Sequence, residues 1–169
     1  MRRSDDTVSP ERLRELLHYN PDTGLFTWRK SKRGVTAGRV AGCVGRYGYW
    51  TLNIDYKRYA AHRVAWLYVY GVWPVECIDH INRLRTDNRI SNLREATPAQ
   101  NRQNLCLSAK NKSGTRGVSF DRINGNWRAS ISVGGKAKNL GRFASKSDAA
   151  SAYAVAAAKL HTHNEARQA

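Results

Sequence analysis

Residues 78–94 read Ile-Asp-His-Ile-Asn-Arg-Leu-Arg-Thr-Asp-Asn-Arg-Ile-Ser-Asn-Leu-Arg, and polar side chains dominate the middle of this run, 82–91. The flanking segments 75–80 and 92–96 have the length and composition of short strands. The residues that follow, Thr97-Pro98-Ala99-Gln100, combine an N-cap, a proline at the first helical position and a capping-box glutamine. The sequence therefore predicts a β-hairpin followed directly by a helix.

Four side chains of this segment have the chemistry of a hydrolytic site. A histidine such as His80 suits a general base near pH 7, and the oxygens of Asp79 and Asn101 suit magnesium or manganese better than zinc. Asn92 follows His80 by twelve residues and Asn101 follows Asn92 by nine, so a hairpin and a helix can fold these positions onto one small face. Because adjacent strand residues face opposite ways, Asp79 and His80 diverge unless the strand ends between them.

Each of these residues taken alone is more typical of a turn or a helix cap than of a catalytic site. Taken as a set in a strongly basic chain, they favour phosphodiester hydrolysis, which needs a base for water and a hard divalent ion for the phosphate charge. The chain has 169 residues, with 29 Lys and Arg against 13 Asp and Glu, a formal net charge of +16. This charge favours a polyanionic partner, nucleic acid first and an anionic membrane surface second.

Composition narrows the class of protein further. Hydrophobic residues make up 41% of the chain, enough for a packed core. No apolar stretch is long enough for a transmembrane helix, and no apolar run follows Met1-Arg2-Arg3 as a secretory signal requires. Cys43, Cys77 and Cys106 form no Cys-X-X-Cys pair. We therefore expect no disulfide framework and no structural zinc, but reduced thiols in a cytoplasmic protein.

The amino-terminal part is predicted to begin with a helix at Ser9-Pro10, carrying Leu13, Leu16 and Leu17 up to the turn residues 20–24. A strand at 25–28, strands or a hairpin within 38–60 and a helix at 61–70 closed by Gly71 are predicted next.

The segment 79–104 carries a resemblance to a known family. Asp79-His80-Ile81, the Asn-Arg-Ile-Ser-Asn-Leu-Arg segment at 88–94 and the helix at 97–104 are similar to HNH endonucleases of the ββα-metal type. Within that family, the resemblance is to the free-standing and intron-encoded homing endonucleases of phages. It extends back through His62-Arg63-Val64-Ala65 and the segment 19–28, and covers residues 8–104.

The resemblance assigns a role to each residue of the set. It implies that His80 is the general base, that Asn92 orients and polarises this histidine, and that Asp79 and Asn101 hold one Mg²⁺ or Mn²⁺ ion per active site. His62 either approaches the site or DNA, or is structural, as is more typical at the start of an apolar helix. The implied substrate is double-stranded DNA, with no organic cofactor and no membrane, in the cytoplasm of a bacterial host if the protein is phage-encoded.

The second half has a different pattern. Residues 105–114 are polar and read as a linker between an HNH domain at 1–104 and a second domain at 115–169. Strands are predicted at 118–121, 127–133 and 138–143, separated by Asn124-Gly125 and Gly134-Gly135. A helix begins at Ser145 and runs to Leu160. Strand alternation predicts that Val118, Phe120, Trp127, Ala129 and Ile131 face this helix, with Gly117, Ser119, Asn126, Arg128, Ser130 and Ser132 facing outward.

This three-stranded antiparallel sheet with a helix resembles an AP2 DNA-binding domain through Arg116-Gly117-Val118-Ser119-Phe120, Gly125–Ile131 and Leu140–Phe143. A sheet can lie in the major groove, where its outward row reads bases and phosphates. The predicted DNA-binding residues are Arg116, Ser119, Arg122, Arg128, Ser130, Lys136, Lys138 and Arg142.

The combined hypothesis is an α+β protein with a ββα-metal nuclease domain and an AP2-like DNA reader. It would act as a site-directed, homing-type endonuclease that nicks DNA, and one catalytic centre per chain favours a monomer over a dimer. Two alternatives are also compatible with the sequence: a non-catalytic sequence-specific DNA-binding regulator on an HNH scaffold, and a nuclease that acts on structured RNA.

Overall fold

A computed structural model describes residues 7–31, 34–105 and 107–163. The chain divides into two compact units, Met1–Ala96 and Thr97–Ala169. In the described part of the chain no helix is long and apolar enough to cross a membrane. Cys43 and Cys77 are free thiols, and Cys106 lies outside the described residues.

The first unit is a set of small antiparallel sheets packed around two helices. Its elements in chain order are α1 (Pro10–Leu16), β1 (Leu17–Asn20), β2 (Leu25–Trp28), β3 (Cys43–Val44), β4 (Trp50–Ile54), β5 (Lys57–Ala60), α2 (Ala61–Tyr70), β6 (Cys77–His80), a 3₁₀ turn (Ile90–Asn92) and β7 (Leu93–Ala96). β1 pairs with β2, β3–β4–β5 form a meander, and β6 pairs with β7. The hairpin predicted from 75–80 and 92–96 is confirmed as β6–β7, and the predicted helix closed by Gly71 is confirmed as α2.

The core of this unit is apolar and continuous. Leu13 of α1, Phe26 of β2 and Leu52 of β4 are fully buried together with Val64 and Leu67 of α2. α2 is the central element, because it contacts α1, β4, β5 and the 3₁₀ turn. The turn that precedes β7 is thereby fixed against the core.

The first helix ends earlier than the leucine spacing predicts. Leu17 begins β1 and is buried there, paired with Trp28, while Tyr19 pairs with Phe26. The turn residues then close a hairpin, with the Asn20 side chain accepting hydrogen bonds from the amides of Asp22 and Thr23. Pairing with the neighbouring strand outweighed the local helical pattern, so the prediction that the helix reaches the turn at residue 20 was wrong.

The second unit contains α3 (Pro98–Asn104), β8 (Val118–Asp121), β9 (Asn126–Val133), β10 (Lys136–Phe143) and α4 (Lys146–Leu160). The sheet order is β10–β9–β8, all antiparallel, and α4 packs on one face. The three predicted strands and the predicted helix are confirmed. α3 has the expected capping box between Thr97 and Gln100.

α3 groups with the second unit, although the sequence assigned it to the first domain. The Arg116 guanidinium donates to the carbonyls of Arg102 (2.7 Å), Gln103 (3.4 Å) and Leu105 at the end of the helix. The Gln103 side chain accepts from the amides of Thr162 and His163, both at 3.1 Å. The domain boundary at 105–114 stays a prediction.

Two residues of the second sheet differ from the expectation. By register Phe120 lies with Trp127 on the predicted face, but it is 49% exposed because β8 is an edge strand. Gly117 has a φ of +69°, and a Cβ there would lie 2.3 Å from the Tyr153 ring of α4. Gly117 therefore approaches the helix and does not face outward.

Candidate active site

Asp79 and His80 are the last two residues of β6 and are both buried, with 5% of each exposed. The strand ends at His80 and not between the two. By register Asp79 pairs with Arg94 and His80 with Leu93, so the side chains leave opposite faces of the two-stranded ribbon. They can address a substrate only from different sides.

The buried side chain of Asn88 contacts His80. Its Oδ1 lies 3.2 Å from His80 Nε2, and its Nδ2 donates to the carbonyl of Thr86 at 3.2 Å. Because Oδ1 can only accept, the shared proton belongs to Nε2, and the neutral ring then has its lone pair on Nδ1. Burial lowers the pKa of His80, although the Asn88 hydrogen bond and the Asp79 charge oppose this. The imidazole is thus neutral at pH 7 and competent to accept a proton.

Asp79 forms a buried ion pair with Arg94. Both Nε and Nη2 of Arg94 lie 3.1 Å from Oδ2 of the carboxylate, and only 6% of the Asp79 side chain is exposed. A buried carboxylate needs such a partner to remain ionised. The pair therefore gives the carboxylate at the end of β6 a cationic partner.

The loop between β6 and β7 is built by side chains that bond to its backbone. Asn92 accepts from the Asn82 amide at 3.0 Å and donates to Asn82 Oδ1 and to the Asp87 carbonyl, both at 2.9 Å. Asp87 accepts from Arg89 and from Asn82 Nδ2, and these hydrogen bonds, with Arg89 foremost, lower its pKa. The hydrogen bonds described for Asn92 thus shape the loop that carries Asn88.

The β1–β2 hairpin supports this loop from the other side. The hydroxyl of Tyr19 donates to the Asn88 carbonyl at 2.7 Å, and burial raises the pKa of Tyr19 to about 12. Gly24, with a φ of +71°, lies so close that a Cβ there would be 2.4 Å from the Arg89 amide nitrogen. Sequence reasoning assigned no role to Asn88, Tyr19 or Gly24, because their importance depends on contacts between distant segments.

His62 at the start of α2 lies beside His80. The ring centroids are 5.1 Å apart in an edge-to-face arrangement. Tyr49 packs against both rings, at 5.3 Å from His62 and 6.0 Å from His80. The Arg85 guanidinium lies over Tyr49 at 4.9 Å and donates to the Tyr47 carbonyl at 2.8 Å. His62 thus approaches the predicted base, one of the two alternatives that the sequence left open.

The donor chemistry fits a hard divalent ion. Among the described residues no three His, Cys, Asp or Glu side chains form a cluster that could hold a metal, whereas Mg²⁺ requires only one or two carboxylates with water and phosphate oxygens. Asp79 supplies a carboxylate, and the amide oxygen of Asn101 has the same hard character. Asn101 lies in the middle of α3, in the second unit, and its role as a ligand stays a prediction.

The predicted DNA-binding residues divide between two faces of the second sheet. Ser119, Arg128 and Arg142 lie in one cross-strand row, and Ser130 pairs with Asn139 on the same face. Lys138 pairs with buried Ile131 and Lys136 with Val133, so the register puts both lysines on the opposite face. Arg122 is exposed in the β8–β9 turn, and Arg116 caps α3 as described above.

Comparisons with known proteins agree with the motif. A family model described as HNH endonuclease matches residues 59–103. The chain is 32% identical over 139 residues to "Uncharacterized HNH endonuclease L560" of Acanthamoeba polyphaga mimivirus, which covers 81% of this chain and 71% of that protein. It is 32% identical over 86 residues to "Protein 3.8" of Escherichia phage T7, covering 50% and 71% respectively. No solved structure matches the chain.

Proposed function

The chain belongs to the HNH endonuclease family, and from this premise we propose that it hydrolyses DNA phosphodiester bonds with His80 as general base. The observation that carries the proposal is the buried His80–Asn88 hydrogen bond, 3.2 Å long, at the end of a strand that also carries the ionised Asp79. A neutral imidazole with a fixed tautomer is what removal of a proton from water requires.

In the proposed reaction, His80 takes a proton from water at Nδ1 while Asn88 holds Nε2. The water oxygen forms a bond to phosphorus, and the bond between phosphorus and the 3′ oxygen breaks. Asp79 and Asn101 would hold the metal, and a bound Mg²⁺ or Mn²⁺ supplies charge stabilisation at the phosphate and at the leaving oxygen. Arg94 orients the Asp79 carboxylate through their ion pair.

We also propose that the second unit binds double-stranded DNA through its outward sheet face, in the manner of an AP2-like reader. The support is the exposed row of Ser119, Arg128 and Arg142 and the net charge of +16. The match to the mimivirus protein is long enough to extend beyond residue 96 into this unit.

A homing-type enzyme that nicks one strand as a monomer, in a bacterial cytoplasm, accords with one centre per chain and with the likeness to a phage protein.

Incubation of supercoiled plasmid with the full-length protein tests the activity. We expect open-circular product with Mg²⁺ or Mn²⁺ and none in EDTA. His80→Ala should lower the rate by about 10²–10⁴-fold and leave DNA binding intact, whereas His18→Ala, at an exposed histidine of β1, should cut normally. Tight DNA binding without cleavage in any metal would favour the regulator, and preferential cleavage of a structured RNA would favour the RNA nuclease.

A further inference from the structure

A groove runs along the free edge of the second sheet. It lies between edge strand β8 and the loop 110–113, with a cavity volume of about 380 Å³. This volume is within the usual range of small-molecule sites, about 300–1,000 Å³. The groove is therefore large enough for one nucleotide unit.

The charged side chains that the structure describes in this groove are all positive. Lys110, Lys112 and Arg122 line it and are exposed, and none of its described lining residues is a carboxylate. The acid next in sequence, Asp121, is engaged elsewhere: it accepts from the amides of Ile123 and Asn124 and pairs with Arg142 at 3.6 Å. Such a groove is complementary to a phosphate backbone.

Two aromatic rings form its apolar wall. Phe120 and Trp127 are tilted by 58° with centroids 5.1 Å apart, and Phe120 is 49% exposed. Trp127 packs partly into the core of this unit, whereas Phe120 is not part of it. An exposed aromatic face beside cations is the combination with which proteins hold single-stranded nucleic acid, because bases stack on the ring and phosphates pair with the cations.

We propose that this groove binds an unpaired nucleotide of a DNA strand, with its base on Phe120 and its phosphates on Lys110, Lys112 and Arg122. The groove shares Ser119 with the Arg128 row but has its own cations and aromatic wall, and it does not depend on His80. It extends the proposed function by giving the protein affinity for a strand end, gap or nick beside duplex DNA.

Fluorescence anisotropy of the full-length protein in EDTA tests this site without cleavage. The probes are labelled dT12 and a 12-base-pair duplex. Phe120→Ala should weaken dT12 binding by about fivefold or more and change duplex binding less than about twofold, since stacking acts on an unpaired base. Phe120→Trp should restore the affinity for dT12. Lys112→Ala should flatten the salt dependence for dT12, with a loss of slope of about 0.7.

Two controls match these changes. Ile123→Ala removes a 95% exposed apolar side chain that does not line the groove, and Lys159→Ala removes a cation on α4; neither should alter dT12 binding. Unfolding midpoints equal to wild type would show that each variant folds. Unchanged dT12 affinity of Phe120→Ala, an equal loss on the duplex, or an equal effect of Ile123→Ala would overturn the proposal. So would stronger binding of rU12 than dT12, or displacement of dT12 by free dTMP at micromolar concentration. Failure of the plasmid assay would leave this result unaffected.

Discussion

Asn88 is hydrogen-bonded to His80, the proposed general base. It is 1% exposed, receives the Tyr19 hydroxyl on its carbonyl and presents Oδ1 to His80 Nε2. Because Nδ2 is engaged by Thr86, the amide cannot flip without losing that bond. The Asn88 hydrogen bond therefore favours the tautomer of His80 that carries its proton on Nε2.

Asn88→Ala is expected to lower kcat by roughly two- to tenfold, the equivalent of one neutral hydrogen bond, with little change in KM. Asn88→Asp keeps the acceptor and should retain more activity than Asn88→Ala. Asn53→Ala, at an exposed asparagine of β4, is the control. Steady-state cleavage kinetics measure the effect, and a change in KM alone would remove Asn88 from the support of the base.

At the scale of elements, the β1–β2 hairpin and the β6–β7 loop act as one structure. Gly24 of the hairpin contacts the backbone of Asn88 and Arg89 so closely that no side chain fits. Asp87 and Asn92 hold the loop from within. The hairpin thus determines where the loop, and with it Asn88, can lie.

Gly24→Ala should destabilise the protein by about 1–3 kcal/mol through overpacking and reduce cleavage. Gly38→Ala is a matched control, because Gly38 has a similar φ of +81° but nothing within 4 Å of its Cβ position. Thermal unfolding and plasmid cleavage are measured for both variants. Because both carry the backbone strain of a positive φ and only Gly24→Ala also meets the loop, the difference between them reports the effect of the contact. Equal losses of stability and cleavage in the two variants would show that the positive φ, and not the contact with the loop, causes the effect.

Lowering the pH should reduce the stability of the β6–β7 loop, because Asp87 becomes protonated. Its pKa is lowered in the folded state by Arg89 and Asn82, so its stabilising contribution is present above the unfolded value of about 3.9 and disappears as the pH falls through the folded value. The difference in unfolding midpoint between wild type and Asp87→Asn should be largest near pH 7 and shrink below about pH 4. A difference independent of pH would show that the carboxylate charge does not stabilise the loop.

At the scale of the whole molecule, we expect the net charge of +16 to make the association with DNA strongly dependent on salt. Each phosphate that a cation neutralises contributes about −0.9 to the slope of log affinity against log salt. Arg128 lies in the exposed row between Ser119 and Arg142.

Arg128→Ala should reduce the magnitude of this slope by about 0.9 if Arg128 contacts a phosphate, with a similar loss on every duplex. A loss of about 1–3 kcal/mol confined to particular sequences would identify a guanine contact. Arg116→Ala should instead lower the unfolding midpoint, because Arg116 bonds to the carbonyls of α3. Anisotropy titrations from low to moderate salt measure the DNA affinity of each variant, and thermal unfolding measures its stability.

Local sequence patterns were sufficient to predict a structural feature wherever one short segment contains all the residues that determine it. Thr97 with Gln100 specified the cap of α3, the Gly-containing turns specified the second sheet, and the resemblance carried by Asp79-His80-Ile81 and residues 88–94 pointed to the nuclease family. Tertiary structure decided the end of α1, the exposure of Phe120, the face that carries Lys138 and the Asn88–His80 hydrogen bond. Each of these depends on how separate segments come together: β2 pairs with β1, β8 lies at an edge of its sheet, the register joins β9 to β10, and Tyr19 holds the loop of Asn88. A sequence records what each residue can do, whereas the choice among those possibilities depends on the free energy of contacts that only the folded chain makes.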